Sequence, residues 1–170
     1  MLIDLKNKKV LVTGGGSGIG QEIVKALSDA GARVAFTSRN DLSIKKSLSK
    51  LNNKKKNFHR GYLIDLSKKG NVKKLHGRIK KDFGGIDILI NNIGHTLNKK
   101  NPFCKIEDWE KVMRLNFFIS VEMVNYFITD MKKKNWGRII NITSVAGMEI
   151  SGPSSFNASK AALTAYSKSV

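Results

Sequence analysis

The chain has 170 residues, with 31 Lys and Arg against 13 Asp and Glu, 15 Gly, 2 Pro and a single Cys. At 41% hydrophobic and 26% charged, it excludes the collagen-like, mucin-like and disulfide-stapled classes. Cys104 has no second cysteine to pair with, and no apolar run approaches the roughly 20 residues of a membrane span, so a cytoplasmic, non-membrane protein is expected.

The elements alternate along the chain. Lys9 to Thr13 is a short apolar run ending in glycines, a buried strand. From Gly18 to Ala30 the apolar residues Ile19, Ile23, Ala26, Leu27 and Ala30 recur at helical spacing, and Gly31 stops that helix. Arg33 to Ser38 is a second strand, and a Lys-rich helix covers about 41–52. Phe58 to Asp65 is a third strand, entered through a polar Asn/Lys turn, and residues 67–83 form a helix ended by Gly84-Gly85. Ile86 to Ile90 is a fourth strand. A loop with Pro102 leads into a long helix from about Glu107 to Met131, with one stripe of Trp109, Val112, Met113, Phe117, Val121, Val124, Phe127 and Ile128. Arg138 to Thr143 is a fifth strand. The last helix starts near Ser155 and meets no stop signal before Val170.

Strands alternating with helices of this length predict one doubly wound α/β domain over 1–170, a parallel sheet with helices on both faces. Chemistry is then expected at the C-terminal ends of the strands.

The net charge of +18 is unevenly spread. Residues 41–81 hold 14 Lys and Arg against Asp41 and Asp65, so twelve of the eighteen charges lie there. The excess is Lys, in runs such as Lys54-Lys55-Lys56 and Lys73-Lys74, on the polar faces and ends of predicted helices. Arg, the bidentate reader of bases, is scarce, and interleaved aromatics are missing. A solvated face is the expectation and nucleic acid is not an expected partner; polyanion binding through 41–81 is a separate hypothesis. His59, His76 and His95 lack ligand spacing, so no metal site is expected. His95 follows an Asn-rich loop, where it either faces substrate or is an ordinary loop residue.

After the first strand comes Thr13-Gly14-Gly15-Gly16-Ser17-Gly18-Ile19-Gly20. Glycines here allow a tight turn and let backbone N–H groups approach a pyrophosphate. The helix that follows offers its N-terminus to the same anion. The spacing is T-G-x-x-x-G-x-G. Later segments extend the pattern: Asn91-Asn92-Ile93-Gly94 after strand four, Asn116 in the long helix, Gly137 to Ser144 through strand five, and Phe156-Asn157-Ala158-Ser159-Lys160 in the last helix. Together they resemble the short-chain dehydrogenase/reductase family over the whole chain. Within it, the segments look most like 3-oxoacyl-carrier-protein reductases and sugar-pathway relatives.

The resemblance implies a Rossmann-type fold and NAD(P)(H)-dependent reduction of a carbonyl or oxidation of an alcohol on a small molecule. It implies cofactor contacts from Thr13, Gly14, Ser17, Gly18, Ile19, Gly20, Ser38, Arg39, Asp65, Leu66, Asn92, Gly94 and Lys160. Ser144, Lys160 and Asn116 take the family's catalytic roles. It also implies a homo-oligomer in a full-length form. At the end of strand two, Ser38-Arg39 replaces the acid that would bind a ribose 2′-OH, which favours NADP(H) over NAD(H). Asp65 matches an adenine-contacting acid, or caps the helix after Ser67.

Two departures stand out. Phe156 occupies the place of the family's Tyr, whose hydroxyl exchanges a proton with the substrate oxygen. A Phe ring has no proton to give, and the residues four after Tyr62, Tyr126 and Tyr166 are Leu66, Asp130 and Val170, so no substitute Y-x-x-x-K exists. A drifted core aromatic, a non-catalytic nucleotide-binding sensor or partner subunit, and a single-site variant all stay open. The second departure is that family members continue into further strands, so a chain truncated within its last helix is expected.

Overall fold

The computed structural model describes residues 4–51, 58–149 and 151–170; the Lys54-Lys55-Lys56 triplet and its turn lie outside them. Five parallel strands form one sheet: β1 (Lys9–Val12), β2 (Arg33–Ser38), β3 (Arg60–Leu63), β4 (Ile88–Asn91) and β5 (Arg138–Asn141). Their order is β3-β2-β1-β4-β5, so the chain reverses direction across the sheet between β1 and β4. Val10 pairs with Val34 on one side and Ile88 on the other. This is the doubly wound arrangement, in which the crevice above the switch point receives a ligand.

The central strands are short apolar runs because both of their faces are covered. Leu11, Ala35 and Leu89 pack toward Leu75, Ile79, Met123 and Phe127 on one face. Val10, Val12, Val34, Phe36, Ile88 and Ile90 pack toward Val24 and Ile44 on the other. Each fully buried Val, Leu, Ile or Phe contributes roughly 1.5–3 kcal/mol relative to exposure.

The helices are α1 (Gly18–Asp29), α2 (Asp41–Ser49), α3 (Asn71–Phe83), α4 (Ile106–Met113), α5 (Ile119–Lys133) and α6 (Ser154–Ser167). Gly31, at φ +90°, and Gly84, at φ +68°, take left-handed backbone where α1 and α3 stop. His59 is buried. It accepts the Val34 N–H on Nδ1, which leaves Nε2 to donate to the Ser28 hydroxyl.

The expected long helix over 107–131 is interrupted. Arg114–Phe118 forms a π turn between α4 and α5. The Asn116 Nδ2 donates to the Val112 carbonyl four residues back, at 2.8 Å, drawing a bond that helix backbone would otherwise make. The extra residue rotates the buried face. Ile119, Ser120, Met123, Val124 and Phe127 are buried, whereas Phe117 and Val121 of the expected stripe are half-buried.

Other boundaries move as well. The helix expected from residue 67 begins at Asn71, because Gly70 at φ +82° closes a turn first. Asp65 therefore does not cap it; its Oδ1 accepts the Ser67 N–H and hydroxyl instead. β5 ends at Asn141, and α6 ends at Ser167 instead of continuing to Val170. Among the described residues no helix is long and apolar enough to cross a membrane.

Candidate nucleotide site and active site

A cleft of about 460 Å³ opens above the switch point, between the β1–α1 loop, the end of β2 and the loop after β4. The loops on its two sides are fastened to each other. Thr13 is buried below the cleft, where its Oγ1 accepts the N–H groups of Asn92 (2.9 Å) and Ile93 (3.2 Å). The Asn92 Nδ2 donates to the Thr13 carbonyl at 3.1 Å. The Gly14 N–H donates to the Thr37 hydroxyl and the Gly15 N–H to the Thr37 carbonyl, which ties the same loop to β2.

The glycines are dictated by space and backbone. A Cβ on Gly16 would stand 2.6 Å from the Ser38 Oγ, and one on Gly20 would meet the Gly14 carbonyl oxygen. Gly18 is different: its φ is +52° and nothing lies within 4 Å of where its Cβ would be. The N-terminus of α1 carries no side-chain cap and no acid in its first turn. Its N–H groups and dipole are available to an anion, so the cradle fits a dinucleotide pyrophosphate.

The rest of the cleft is lined by Ser17, Ile19, Ser38, Arg39, Asp65, Leu66, Asn92, Gly94 and His95. Arg39 is exposed at its edge. Asn40 caps α2 through Ser43, and Asp41 pairs with Lys45 at 2.8 Å, so no carboxylate at the end of β2 is directed to the Arg39 position. Burial pushes the Asp65 carboxyl up, but the Ser67 hydrogen bonds and the charges of Arg39 and Lys68 hold it below its ordinary value.

At the far end of the cleft the catalytic candidates converge on Gly94. A Cβ there would lie 3.0 Å from both the Asn116 Oδ1 and the Lys160 Nζ. Asn116 is fully buried: its Oδ1 accepts the His95 N–H and its Nδ2 donates to the His95 carbonyl, both at 2.9 Å. The His95 Nδ1 is turned to the Leu97 N–H. Lys160 is buried on α6 and donates to the Ile142 carbonyl at 2.8 Å. Burial pushes its ammonium below its ordinary value. The Phe156 ring centroid lies 5.8 Å from that nitrogen. Ser144 heads a short 3₁₀ turn, Val145–Gly147, with its Oγ accepting the Ala146 N–H at 3.2 Å. Gly147 packs against the backbone of Lys160 and Ala161, bringing that turn to α6.

Sequence reasoning missed the clamp that Asn116 places on His95, and the role of Thr13 as a fastener; a buried Asn beside a loop is visible only once the fold joins them. A larger groove of about 1090 Å³ runs along the unpaired edge of β5, but the chemistry-bearing residues do not converge there.

Fold and cleft together define a doubly wound nucleotide-binding oxidoreductase scaffold. The family model of the short chain dehydrogenases matches residues 8–170, and the chain belongs to that family. It is 35% identical over 167 residues to the 3-oxoacyl-[acyl-carrier-protein] reductase of Haemophilus influenzae, covering 98% of this chain and 67% of that protein. It is 31% identical to an uncharacterised oxidoreductase of Staphylococcus saprophyticus, covering 95% and 70%. A solved 7α-hydroxysteroid dehydrogenase, in complex with NADH and 7-oxo glycochenodeoxycholic acid, superposes with a TM-score of 0.87 at 25% identity, covering 97% of this chain and 64% of that one. A ribose-5-phosphate isomerase structure from Brucella melitensis superposes with a TM-score of 0.88 at 24% identity, covering 99% of this chain and 64% of that one, a likeness of fold alone. The chain thus spans just under two thirds of these two solved proteins.

Proposed function

We propose that this chain binds NADP(H) in preference to NAD(H) and is the scaffold of a cytoplasmic carbonyl reductase or alcohol dehydrogenase acting on a small molecule. The observation that carries the cofactor reading is Arg39 at the end of β2, exposed beside Ser38 where an acid would repel a 2′-phosphate. The N–H groups of Gly18 to Gly20 would hold the pyrophosphate, Ser38 and Arg39 the 2′-phosphate, and Asp65 and Leu66 the adenine. Asn92, Gly94 and Lys160 would hold the nicotinamide end. The bound nicotinamide supplies or accepts a hydride.

This chain's residues then handle position and charge. Ser144 orients the substrate oxygen. Lys160 contributes a cation whose burial strengthens its field. Asn116 keeps the His95 loop in place through its paired hydrogen bonds. Phe156 fills the space of the family's Tyr and supplies no proton. The proton must come from Ser144 or water, so turnover is expected to fall by about 10²–10⁴ relative to a Tyr-bearing relative.

Phe156 also favours a second reading, a nucleotide-binding sensor or partner subunit without catalysis. Fluorescence titration with NADPH and NADH tests the cofactor reading, and equal affinities would overturn it. NADPH oxidation against a panel of ketones separates the readings: turnover supports the reductase, and tight NADPH binding with no turnover supports the sensor.

A further inference from the structure

Beside the nucleotide cleft, and sharing Arg39, Ile64 and Asp65 with it, lies a second concavity of about 490 Å³ whose Lys68, Lys74 and Arg78 the dehydrogenase reading does not use. It runs from the end of β3 along one face of α3. Arg39, Lys68, Lys74 and Arg78 border it, and Leu63 and Ile64 supply apolar wall. Lys74 and Arg78 are one helical turn apart, roughly 6 Å along the axis, so both project from the same face of α3.

Most cations of the described residues make no ion pair, and this strip gathers four of them around one concavity. Asp41, Asp82, Asp87, Asp108 and Asp130 each hold a Lys or Arg within 4 Å. Among the described residues, none of the four groove cations takes part in an ion pair of that kind. The one carboxylate on the groove, Asp65, is occupied by the Ser67 N–H and hydroxyl. Arg78 is held in place over the Tyr62 ring, 4.8 Å from its centroid. Four exposed cations are thus gathered on one concave strip, with Asp65 the single carboxylate among them.

We propose that this groove binds the phosphate backbone of single-stranded nucleic acid, without regard to base sequence. A strand running along α3 would set successive phosphates against Lys74 and Arg78, and its sugars against Leu63 and Ile64. The shortage of arginine bears on reading bases, which phosphate contacts do not do; with no interleaved aromatics to stack the bases, binding here rests on the phosphates alone and is strongly salt-dependent. The salt dependence follows from the cation count. Four neutralised phosphates on a single strand give a slope of log affinity against log salt of about −3.

The test is fluorescence anisotropy with the full chain and a 5′-labelled 12-mer of thymidylate, between 50 and 200 mM salt. Three variants are compared with the unchanged protein: the doubles Lys74→Gln/Arg78→Gln and Lys132→Gln/Lys133→Gln, and the single Lys68→Gln. The first double is expected to lose at least tenfold in affinity at 50 mM salt and to make the slope shallower by about 1.4. The second removes the same charge from the exposed end of α5 and is expected to change affinity less than twofold. Lys68→Gln lies in a turn and tests the groove without altering a helix; a loss of at least threefold is expected. NADPH titration of the groove variants reads the neighbouring cleft separately, and is expected to move less than twofold. Equal losses from both doubles would overturn the proposal, because the binding would then belong to diffuse surface charge. So would no binding of the 12-mer at 50 mM salt, including the case in which inorganic polyphosphate binds and the 12-mer does not.

Discussion

The Lys160 ammonium donates to the Ile142 carbonyl at 2.8 Å, and this bond ties the middle of α6 to the chain just beyond β5. Lys160 is buried and, among the described residues, pairs with no carboxylate; burial lowers its affinity for a proton. Below the lowered native value, lysine is protonated in both the folded and unfolded states, and folding bears the cost of burying a charge. Between that value and the unfolded value near 10.5, the native state binds fewer protons than the unfolded one. Stability contributed at this site therefore rises with pH across that window. Lys160→Met is expected to remove that rise. It should leave the protein at least as stable at neutral pH, and should weaken NADPH binding. Denaturant unfolding of both proteins at pH 7 and pH 10 checks the sign.

Phe156 is the second test. Phe156→Tyr introduces a hydroxyl on a ring whose centroid lies 5.8 Å from the Lys160 nitrogen. If the reductase reading holds, turnover of a ketone should rise at least about tenfold, because a positioned acid replaces water. Affinity for NADPH should change little. Steady-state kinetics of the two proteins on one ketone decides this, and a Phe form as fast as the Tyr form would show that the proton comes from elsewhere.

Arg39→Asp should reverse the cofactor preference. The substitution exchanges a cation for a carboxylate facing the 2′-phosphate and offers a hydrogen-bond acceptor to a 2′-OH. The ratio of NADPH to NADH affinity is expected to fall by at least roughly tenfold, about 1.4 kcal/mol. Paired fluorescence titrations read this directly. An unchanged ratio would leave Arg39 a solvated surface residue.

Two glycines of the β1–α1 loop should respond differently to alanine. At Gly20 the added methyl runs into the Gly14 carbonyl, and overpacking of this kind costs about 1–3 kcal/mol. At Gly18 the space is empty but φ is +52°, so the cost is about 1 kcal/mol of backbone strain. Urea unfolding should rank Gly20→Ala as the less stable. The reverse order would mean that the close approach is relieved by movement of the loop.

Asn116→Leu keeps the shape and removes the amide. The His95 N–H and carbonyl and the Val112 carbonyl lose their partner, at an expected cost of about 2–4 kcal/mol. NADPH binding should weaken as the His95 loop loosens. A thermal melt together with a cofactor titration tests both halves.

Much of this was legible in the residues. Val10-Leu11-Val12 and Ile88-Leu89-Ile90 read as buried strands because apolar runs of that length leave few alternatives, and both lie at the centre of the sheet. The Gly14-to-Gly20 run pointed to an anion cradle because the requirement is local: tight backbone and a following helix. What escaped was set by distant partners. The π turn exists because the Asn116 amide is drawn between Val112 and His95, and periodicity cannot register a side chain that competes with the helix. The late start of α3 hangs on Gly70 and on the Asn71 Nδ2, which donates to the Asp65 carbonyl at 2.7 Å. The uneven charge over 41–81 was plain, but not which cations would go unpaired, since pairing is decided by where the fold brings the few acids.

The Thr13 hydroxyl, with two N–H groups directed to one oxygen, has a thermodynamic consequence. Both walls of the cleft are anchored to the same buried atom, so they cannot swing apart independently. A ligand entering this crevice meets a shape already set, and little chain entropy is surrendered on binding. Association should therefore be governed by the ligand's own loss of motion and by the charges it meets, with small heat-capacity and hydrogen-exchange changes outside the cleft.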